Sequence, residues 1–226
     1  MGQRRGRGVP GSSLEERLRA ECPADLSVIE TLRFEPADGI ALLPHHLERL
    51  TRTCRLLEIP LDPDAAHAAL RAERHDTARR LRLTVTTAGD VAVTAHPLPP
   101  TKDVWHLALS DTPVRSDDPW LRVKTSRRAL YDAARAALPD GIDEMIFLNE
   151  RQEVAEGAIT SVFVERAGAL ITPPMESGCL PGVLRAQLLH SGRAREVVLA
   201  AEDLRSADRL FVGNALRGLV PAMLTG

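Results

Sequence analysis

Two spacings of apolar residues alternate along this chain, and their order limits the folds that it can adopt. Between Leu26 and Phe34 the apolar residues recur at even spacing, which predicts a strand, and Asp38-Gly39 offers the turn of a hairpin. Further on they recur at steps of three and four, which predicts a helix with one apolar stripe. The stripe consists of Leu47, Leu50, Cys54 and Leu57.

Strand-like and helix-like segments continue to alternate through the rest of the chain. The predicted helices cover residues 63–74, 125–138 and 182–190. The predicted strands cover residues 81–85, 91–95, 104–110, 144–148, 159–164, 169–172 and 210–212, with a further strand near Val197. Because these segments fall into two halves without an internal repeat, the class that they indicate is mixed α/β or α+β.

A polar stretch between the two halves sets the expected domain boundaries. Residues 111–122 read as a linker between a small α/β domain at residues 21–110 and a second domain at residues 123–226. Residues 1–20 begin with a Gly- and Arg-rich segment that lacks apolar periodicity, so we expect a disordered basic tail there.

Composition argues against several classes of function. The net charge of −2 gives no positive field for nucleic acid or an anionic membrane, and aromatic residues make up only 3%. No apolar run approaches the roughly 18 residues of a transmembrane helix, and no signal peptide is visible. Three cysteines without a Cys-x-x-Cys spacing, and histidines without a His-Glu-x-x-His motif, predict a cytoplasmic compartment and no metal site.

Only two of the 29 basic side chains are lysines, Lys102 and Lys124. Genomic base composition explains this ratio but not the positions of the two residues. Unlike a guanidinium, a primary amine loses its proton at tolerable cost and attacks a carbonyl carbon. Lys124 lies where a strand or loop runs into a predicted helix, whereas Lys102 follows a run of prolines and has no assigned role.

Five segments stand out in order along the chain. They are residues 46–50 (HLERL), 122–128 (RVKTSRR), 156–163 (EGAITSVF), 178–185 (GCLPGVLR) and 212–218 (VGNALRG). Together they resemble the class IV aminotransferases, a family of pyridoxal phosphate enzymes, and the likeness extends from about Leu26 to Met223. Within the family, residues 116–119, 124–131 and 213–218 are most similar to 4-amino-4-deoxychorismate lyases, especially the lyase half of fused aminodeoxychorismate synthase chains.

The resemblance implies a two-domain D-amino-acid aminotransferase-like fold with pyridoxal phosphate between the domains, the second of which binds the cofactor. Lys124 would form the covalent link to the cofactor's aldehyde. Glu156 would lie at the pyridine nitrogen and keep the ring protonated. The alternatives are a surface lysine paired with an acid and a solvent-facing strand glutamate. The N-terminal signature of free-standing family members is missing or replaced by residues 12–25. The resemblance therefore does not say how the edge of the first domain is completed.

For the cofactor phosphate, the resemblance implies three groups of donors. Arg49 lies roughly opposite the apolar stripe of its helix and would be free to face a cleft. The backbone amides of Val183 and Leu184 come at a helix start, and Asn214 would add a side-chain donor. The alternatives are an exposed helical arginine, ordinary helix capping and a turn asparagine.

The implied substrate, 4-amino-4-deoxychorismate, carries two carboxylates that require cations. Arg128, one helical turn from Lys124, is the first candidate, and Arg217 is the second. Tyr131, about two turns from Lys124 on the same face, approaches the cofactor or belongs to the core. The implied reaction releases 4-aminobenzoate and pyruvate in folate biosynthesis, with Lys124 as general base and acid. The resemblance also implies a homodimer and a separate aminodeoxychorismate synthase as partner.

Two other functions stay open at this point. A class IV transaminase acting on branched-chain or D-amino acids would use the same Lys, Glu and Arg residues, so these residues do not discriminate. A non-catalytic module that retains the fold is the second alternative, and the missing N-terminal signature adds weight to it.

Overall fold

The chain is described by a computed structural model over residues 13–225, so the part of the predicted tail at residues 1–12 lies outside the described residues. The expected disorder is wrong for the rest of that tail, where Leu14–Ala20 form helix α1. Ser13 and Glu16 close a capping box at its first turn. Leu18 is fully buried in the first hydrophobic core, so tertiary packing holds a segment too short to show a clear apolar period.

The first sheet has four antiparallel strands in the order β2-β1-β3-β4. They are β1 (Ser27–Glu35), β2 (Gly39–Ile40), β3 (Arg79–Thr86) and β4 (Val91–Pro97). The predicted hairpin is confirmed, because Phe34 pairs with Ile40 and Gly39 takes a φ of 76° that favours glycine. Helices α2 (Leu43–Leu56) and α3 (Pro63–Ala72) pack on one face of this sheet and form the first core with it.

The second sheet has eight strands in the order β10-β9-β8-β11-β12-β5-β6-β7. They are β5 (Trp105–Leu109), β6 (Glu144–Leu148), β7 (Val154–Gly157), β8 (Ser161–Arg166), β9 (Ala169–Thr172), β10 (Ala194–Glu196), β11 (Arg209–Asn214) and β12 (Gly218–Leu224). Its helices are α4 (Ala129–Ala136), α5 (Val183–His190) and α6 (Ala201–Arg205). Parallel and antiparallel pairs mix in this sheet, so the predicted mixed α+β class is confirmed.

Strand β5 belongs to the second sheet, although the predicted boundary at residue 110 placed it with the first. It lies parallel between β12 and β6, and Leu107 is fully buried in the second core.

The sequence patterns also miss β7 and β12. Strand β12 contains Pro221 and begins at Gly218, two residue types that weaken a strand prediction, and its pairing with neighbours on both sides overrides that weakness.

The segment that carries Lys124 is extended rather than helical, so the helix predicted at residues 125–138 is shorter than expected. The Lys124 carbonyl accepts the Ile29 N–H at 2.9 Å, and Thr125 forms a bridge with Val28 in β1. This pairing occupies backbone groups that a helix would need, and α4 starts only at Ala129. Helix α4 has no fully buried residue, and its half-buried Tyr131 and Ala134 pack against a small core cluster that contains Phe147.

Within residues 13–225, every helix is too short or too polar to cross a lipid bilayer. In the same part of the chain, no three His, Cys, Asp or Glu side chains come together in a group that could bind a metal ion.

Candidate active site

A cleft of about 420 Å³ is lined by residues of both sheets. The first sheet contributes Thr31 from β1 and Arg80 and Arg82 from β3, and the second contributes the end of β7 and the turn after β11. All nine residues that the sequence singles out line this cleft. They are Arg49, Lys124, Arg128, Tyr131, Glu156, Val183, Leu184, Asn214 and Arg217.

Lys124 reaches the cleft from the extended segment beside β1. That segment is fixed at Ser126, whose N–H donates to the Ser27 carbonyl at 2.8 Å and whose hydroxyl accepts the Ser27 N–H at 3.0 Å. The Lys124 amine makes no hydrogen bond or ion pair with any residue that the structure describes. Burial, reinforced by the positive charges of Arg49 and Arg128, lowers the pKa of Lys124 to about 8. At neutral pH, more of this amine is neutral and able to attack an aldehyde than in a free lysine.

Glu156 presents a buried carboxylate to the cleft from β7. Its Oε1 accepts the Tyr131 hydroxyl at 2.5 Å, and its Oε2 accepts the Leu180 N–H at 2.9 Å. Burial raises the pKa of Glu156 to about 7, although both hydrogen bonds and the charge of Lys124 act in the opposite sense. Since a carboxylate accepts about four hydrogen bonds, positions remain for a ring N–H beside it. The alternative of a solvent-facing strand glutamate does not hold.

Arg49 is 6% exposed, so it is not one more exposed helical arginine. It lies off the apolar stripe of α2, but on a second buried strip with His46 and Thr53 rather than on a solvent-facing side. Its Nε and Nη2 donate to the two oxygens of Glu30 at 2.7 and 2.6 Å, and its Nη1 donates to the Pro181 carbonyl at 3.3 Å. Pro181 leads directly into α5, so Arg49 is joined to the start of that helix.

Glu30 and His46 are partners of Arg49 that the sequence analysis misses. Glu30 is 2% exposed and occupies an even position of β1 between the core residues Val28 and Leu32. A carboxylate at a core-facing position of an alternating strand is the signal in the sequence that could have found it. His46 is 1% exposed, and its Nδ1 lies 2.6 Å from Glu30 Oε2.

The first turn of α5 presents unpaired backbone amides to the cleft. Gly182 is its N-cap, and the first helical hydrogen bond runs from the Ala186 N–H to the Gly182 carbonyl at 2.8 Å. The N–H groups of Val183 and Leu184 find no acceptor among residues 13–225. Such amides, together with the positive end of the helix dipole, suit an anion such as a phosphate.

Asn214 closes the turn that joins β11 to β12. Its Oδ1 accepts the N–H groups of Leu216 and Arg217 at 3.1 and 3.0 Å, and its Nδ2 donates to the Ile159 carbonyl at 3.1 Å. The side chain therefore has the turn role that the sequence left as the alternative. Its contact with a phosphate stays a prediction.

The predicted substrate residues line the cleft, although two of them arrive there by a different route. Arg128 is the N-cap of α4 and Tyr131 lies in the first turn, so neither is separated from Lys124 by turns of one helix. Arg128 donates to Asp132 at 2.8 Å and to the Ala158 carbonyl at 3.2 Å. Burial raises the pKa of Tyr131, which keeps its hydroxyl protonated as the donor to Glu156.

Arg217 and three further arginines extend the positive charge of the cleft. The guanidinium carbon of Arg217 lies 5.1 Å from the centre of the Trp105 ring, and its Nε is buried without a partner. Arg80, Arg82 and Arg135 also line the cleft, and the sequence analysis does not single them out. On β3 the first two alternate with buried leucines in the string RRLRLTV, and this alternation is the signal for a cationic sheet face.

These residues fit pyridoxal phosphate on three observations. A partly buried amine with a lowered pKa suits the aldehyde. A buried carboxylate with unused acceptor positions suits a protonated ring nitrogen. Arg49 lies next to the two unpaired amides of α5, and this pair of features suits a phosphate.

The family model described as amino-transferase class IV matches residues 27–223 of the chain. An amino-acid aminotransferase assigned in Mesorhizobium loti has a crystal structure that is similar with a TM-score of 0.85 and 42% identity, over 89% of this chain and 100% of that one.

Two more distant structures show the same fold. The 4-amino-4-deoxychorismate lyase of Pseudomonas aeruginosa is 24% identical with a TM-score of 0.76, over 96% of this chain and 88% of that one. The branched-chain amino acid aminotransferase of Escherichia coli is 22% identical with a TM-score of 0.75, over 91% of this chain and 78% of that one. Because lyases and transaminases share this fold, the fold does not choose between the two reactions.

Proposed function

The chain belongs to the class IV aminotransferases, and from that premise we propose that it is a lyase that converts 4-amino-4-deoxychorismate to 4-aminobenzoate and pyruvate. Members of the family use pyridoxal phosphate. When bound, this cofactor supplies an aldehyde that takes up a primary amine and a ring that accepts the electron pair of a breaking C–H bond. The lyase reaction belongs to folate biosynthesis.

The excess of positive charge in the cleft carries the proposal. Seven arginines and Lys124 line it, against the carboxylates of Asp132 and Glu156. Among the described residues, Arg80, Arg82 and Arg217 form no ion pair with an acid. A substrate with two carboxylates supplies partners for these cations, whereas the apolar side chain of a branched-chain amino acid does not.

Lys124 and Glu156 divide the proton chemistry between them. Lys124 Nζ takes the proton from the ring carbon that bears the substrate amine, and its lowered pKa suits a base that works near neutral pH. Glu156, whose orientation Tyr131 and Leu180 fix, would lie beside the ring nitrogen of the bound cofactor and would hold a proton there.

The reaction balances without a second substrate. The C–H bond at the amine-bearing carbon and the C–O bond to the enolpyruvyl group both break. The ring becomes aromatic, and the leaving enol takes up a proton from the protonated Lys124 at its methylene carbon to become pyruvate. No oxidant and no keto acid enters, which separates this reaction from transamination.

Transamination is the second candidate, and the 42% identity with the amino-acid aminotransferase from Mesorhizobium loti favours it. The two candidates differ in what an ordinary amino acid does to the cofactor. If the lyase proposal holds, 4-amino-4-deoxychorismate yields 4-aminobenzoate by fluorescence, while leucine or D-alanine converts the cofactor to pyridoxamine phosphate far more slowly. Conversion by an amino acid at a rate comparable with lyase turnover would favour the transaminase.

Arginine variants test the role of the cationic cleft in the same assay. Arg82→Gln removes one cation of β3, and we expect KM to rise by about tenfold because a charge-assisted hydrogen bond is lost. The change in kcat should be smaller, because Arg82 is proposed to hold a substrate carboxylate and takes no part in the proton transfer. Arg71→Gln on α3 is the matched control, because Arg71 does not line the cleft. An unchanged KM for Arg82→Gln speaks against a substrate carboxylate at this position.

Family members are typically dimeric, and we expect the chain to form a homodimer. Light scattering should then give twice the chain mass of 24.6 kDa. A separate aminodeoxychorismate synthase that supplies the substrate is the partner implied by this reaction.

A further inference from the structure

The buried group around Arg49 contains more charge than a phosphate site requires. Glu30 lies in the first core and is contacted by both Arg49 and His46. Burying an ion pair stabilises a fold little, because the loss of hydration offsets the attraction between the charges. Compared with apolar residues of similar volume, the pair adds a fixed geometry rather than extra stability, although removing Glu30 alone would leave Arg49 buried without a counter-charge.

Glu30 fixes the plane of the Arg49 guanidinium. Two parallel N–H···O contacts of 2.7 and 2.6 Å join Nε and Nη2 to the carboxylate, and such a bidentate pair sets both the direction and the plane of the guanidinium. Of the five N–H bonds of Arg49, these contacts and the one to the Pro181 carbonyl use three. One N–H on each of Nη1 and Nη2 is left for a ligand beside the start of α5.

His46 in turn fixes Glu30. The Nδ1 of His46 lies 2.6 Å from Glu30 Oε2, the oxygen that also accepts Arg49 Nη2. The other ring nitrogen, Nε2, is buried and has no partner among the described residues. Burial lowers the pKa of His46, so the neutral ring carries its proton on Nδ1 and donates it to Glu30. The carboxylate is thereby held from two sides.

We propose that Glu30 and His46 are positioning residues that aim the two free N–H bonds of Arg49 at the phosphate of pyridoxal phosphate. This inference rests on the proposed place of the cofactor phosphate beside Arg49. It does not depend on whether the enzyme is a lyase or a transaminase.

Charge and geometry make opposite predictions for Glu30→Gln. If only charge mattered, removal of the carboxylate would leave Arg49 unneutralised and would strengthen the binding of a phosphate dianion. If Glu30 positions Arg49, its loss frees a side chain with several rotatable bonds, and phosphate binding weakens. The sign of the change therefore separates the two accounts.

The experiment compares the dissociation constants of pyridoxal phosphate and pyridoxal on cofactor-free protein, by equilibrium dialysis. The dissociation constant of pyridoxal divided by that of pyridoxal phosphate is the ratio that reports the phosphate contact alone, because both compounds carry the same aldehyde and ring. We expect Glu30→Gln to lower this ratio by about tenfold and to leave the dissociation constant of pyridoxal within about twofold. Arg49→Gln should lower the ratio at least as much.

His46 variants repeat the test without a change of charge. His46→Leu should lower the ratio, whereas His46→Asn should keep it, because the asparagine amide can place an N–H near the position of Nδ1. Glu153→Gln is the matched control, since Glu153 pairs with Arg151 through the same Nε and Nη2 contacts, at 3.0 and 2.7 Å, away from the cleft. If Glu30→Gln does not fold, the two His46 variants decide the question.

The inference is overturned if folded Glu30→Gln or His46→Leu keeps or raises the ratio, or if Arg49→Gln leaves it unchanged. A wild-type protein that selects the phosphorylated compound through Arg49 and Glu30 but releases no pyruvate would retain this inference and lose the lyase proposal. The two failures are therefore distinguishable.

Discussion

Lys124 and Lys102 carry the same charge in very different surroundings. Lys102 lies on the surface, 63% exposed, and pairs with Asp143 at 2.7 Å, whereas Lys124 faces the cleft with a lowered pKa. We expect Lys124→Arg to be as inactive as Lys124→Ala, because a guanidinium does not form the covalent link. Borohydride reduction followed by mass spectrometry should detect bound cofactor in the wild type and in Lys102→Arg, but not in the two Lys124 variants. A Lys124→Arg protein that still captures the cofactor would remove Lys124 from the mechanism.

Glu30 should also dominate part of the response to acid. The charge of Arg49 and its hydrogen bonds lower the pKa of Glu30 to about 2 despite its burial, compared with 4.5 for a free glutamate. The ionised Glu30 therefore contributes its full stabilisation of the folded state above about pH 4.5, and this contribution is lost as the pH falls towards 2. We expect Glu30→Gln to lower the free energy of unfolding at pH 7 by about 3 kcal/mol and to flatten the decline between pH 4.5 and 2. Urea unfolding at pH 7 and pH 3 measures both effects, and an unchanged decline in the variant would contradict them.

The sequence predicts the residues of the cleft best where a motif contains them. Lys124, Glu156 and Arg49 all line one cleft. The two residues that hold Arg49 were missed, because Glu30 and His46 meet through contacts between β1 and α2 that no local spacing encodes. Only the break in the alternation of β1 pointed to Glu30.

At the scale of elements, α1 is the addition that the sequence patterns do not predict. Its Leu18 is fully buried beside Trp120 and Val123, close in sequence to Lys124. Glu21, just after the helix, accepts hydrogen bonds from Trp120 Nε1 at 2.9 Å and from Arg127 at 3.2 Å. The helix therefore braces the segment that carries the reactive lysine.

A pair of leucines on α1 tests this bracing. We expect Leu18→Ala to lower the free energy of unfolding by about 2–5 kcal/mol, because it leaves a cavity in the first core. Leu14→Ala, at a position that is 41% exposed on the same helix, should cost less than about 0.5 kcal/mol. Urea titrations compare the two variants. Equal, small effects would mean that α1 does not pack as described.

Element boundaries were predicted well where a segment is held by its own pattern and poorly where a distant partner holds it. The start of α5 follows from Pro181-Gly182 and is found at Val183. Residues 125–128, in contrast, have a helical pattern, but Thr125 and Ser126 pair with β1, which lies about 100 residues earlier in the chain. Local helix propensity does not show that pairing with a distant strand competes with the helix at these positions.

At the scale of the whole molecule, net charge conceals how charge is distributed. The chain as a whole carries a net charge of −2, which argues against polyanionic partners, yet cations far outnumber acids in the cleft. This local excess arises only when β3, α4 and the turn after β11 come together from distant parts of the chain. The two-domain fold and the cofactor were accessible from motifs, whereas the shape and charge of the substrate site required the assembled structure.

We propose that this cleft performs an elimination rather than an amino transfer. The most direct measurement is the yield of pyruvate from 4-amino-4-deoxychorismate with the purified protein, pyridoxal phosphate and no keto acid. We expect many turnovers, with pyruvate and 4-aminobenzoate formed in equal amounts and neither product formed by Lys124→Ala. A single turnover that stops with the cofactor as pyridoxamine phosphate, or no pyruvate from a protein that binds its cofactor, would contradict it.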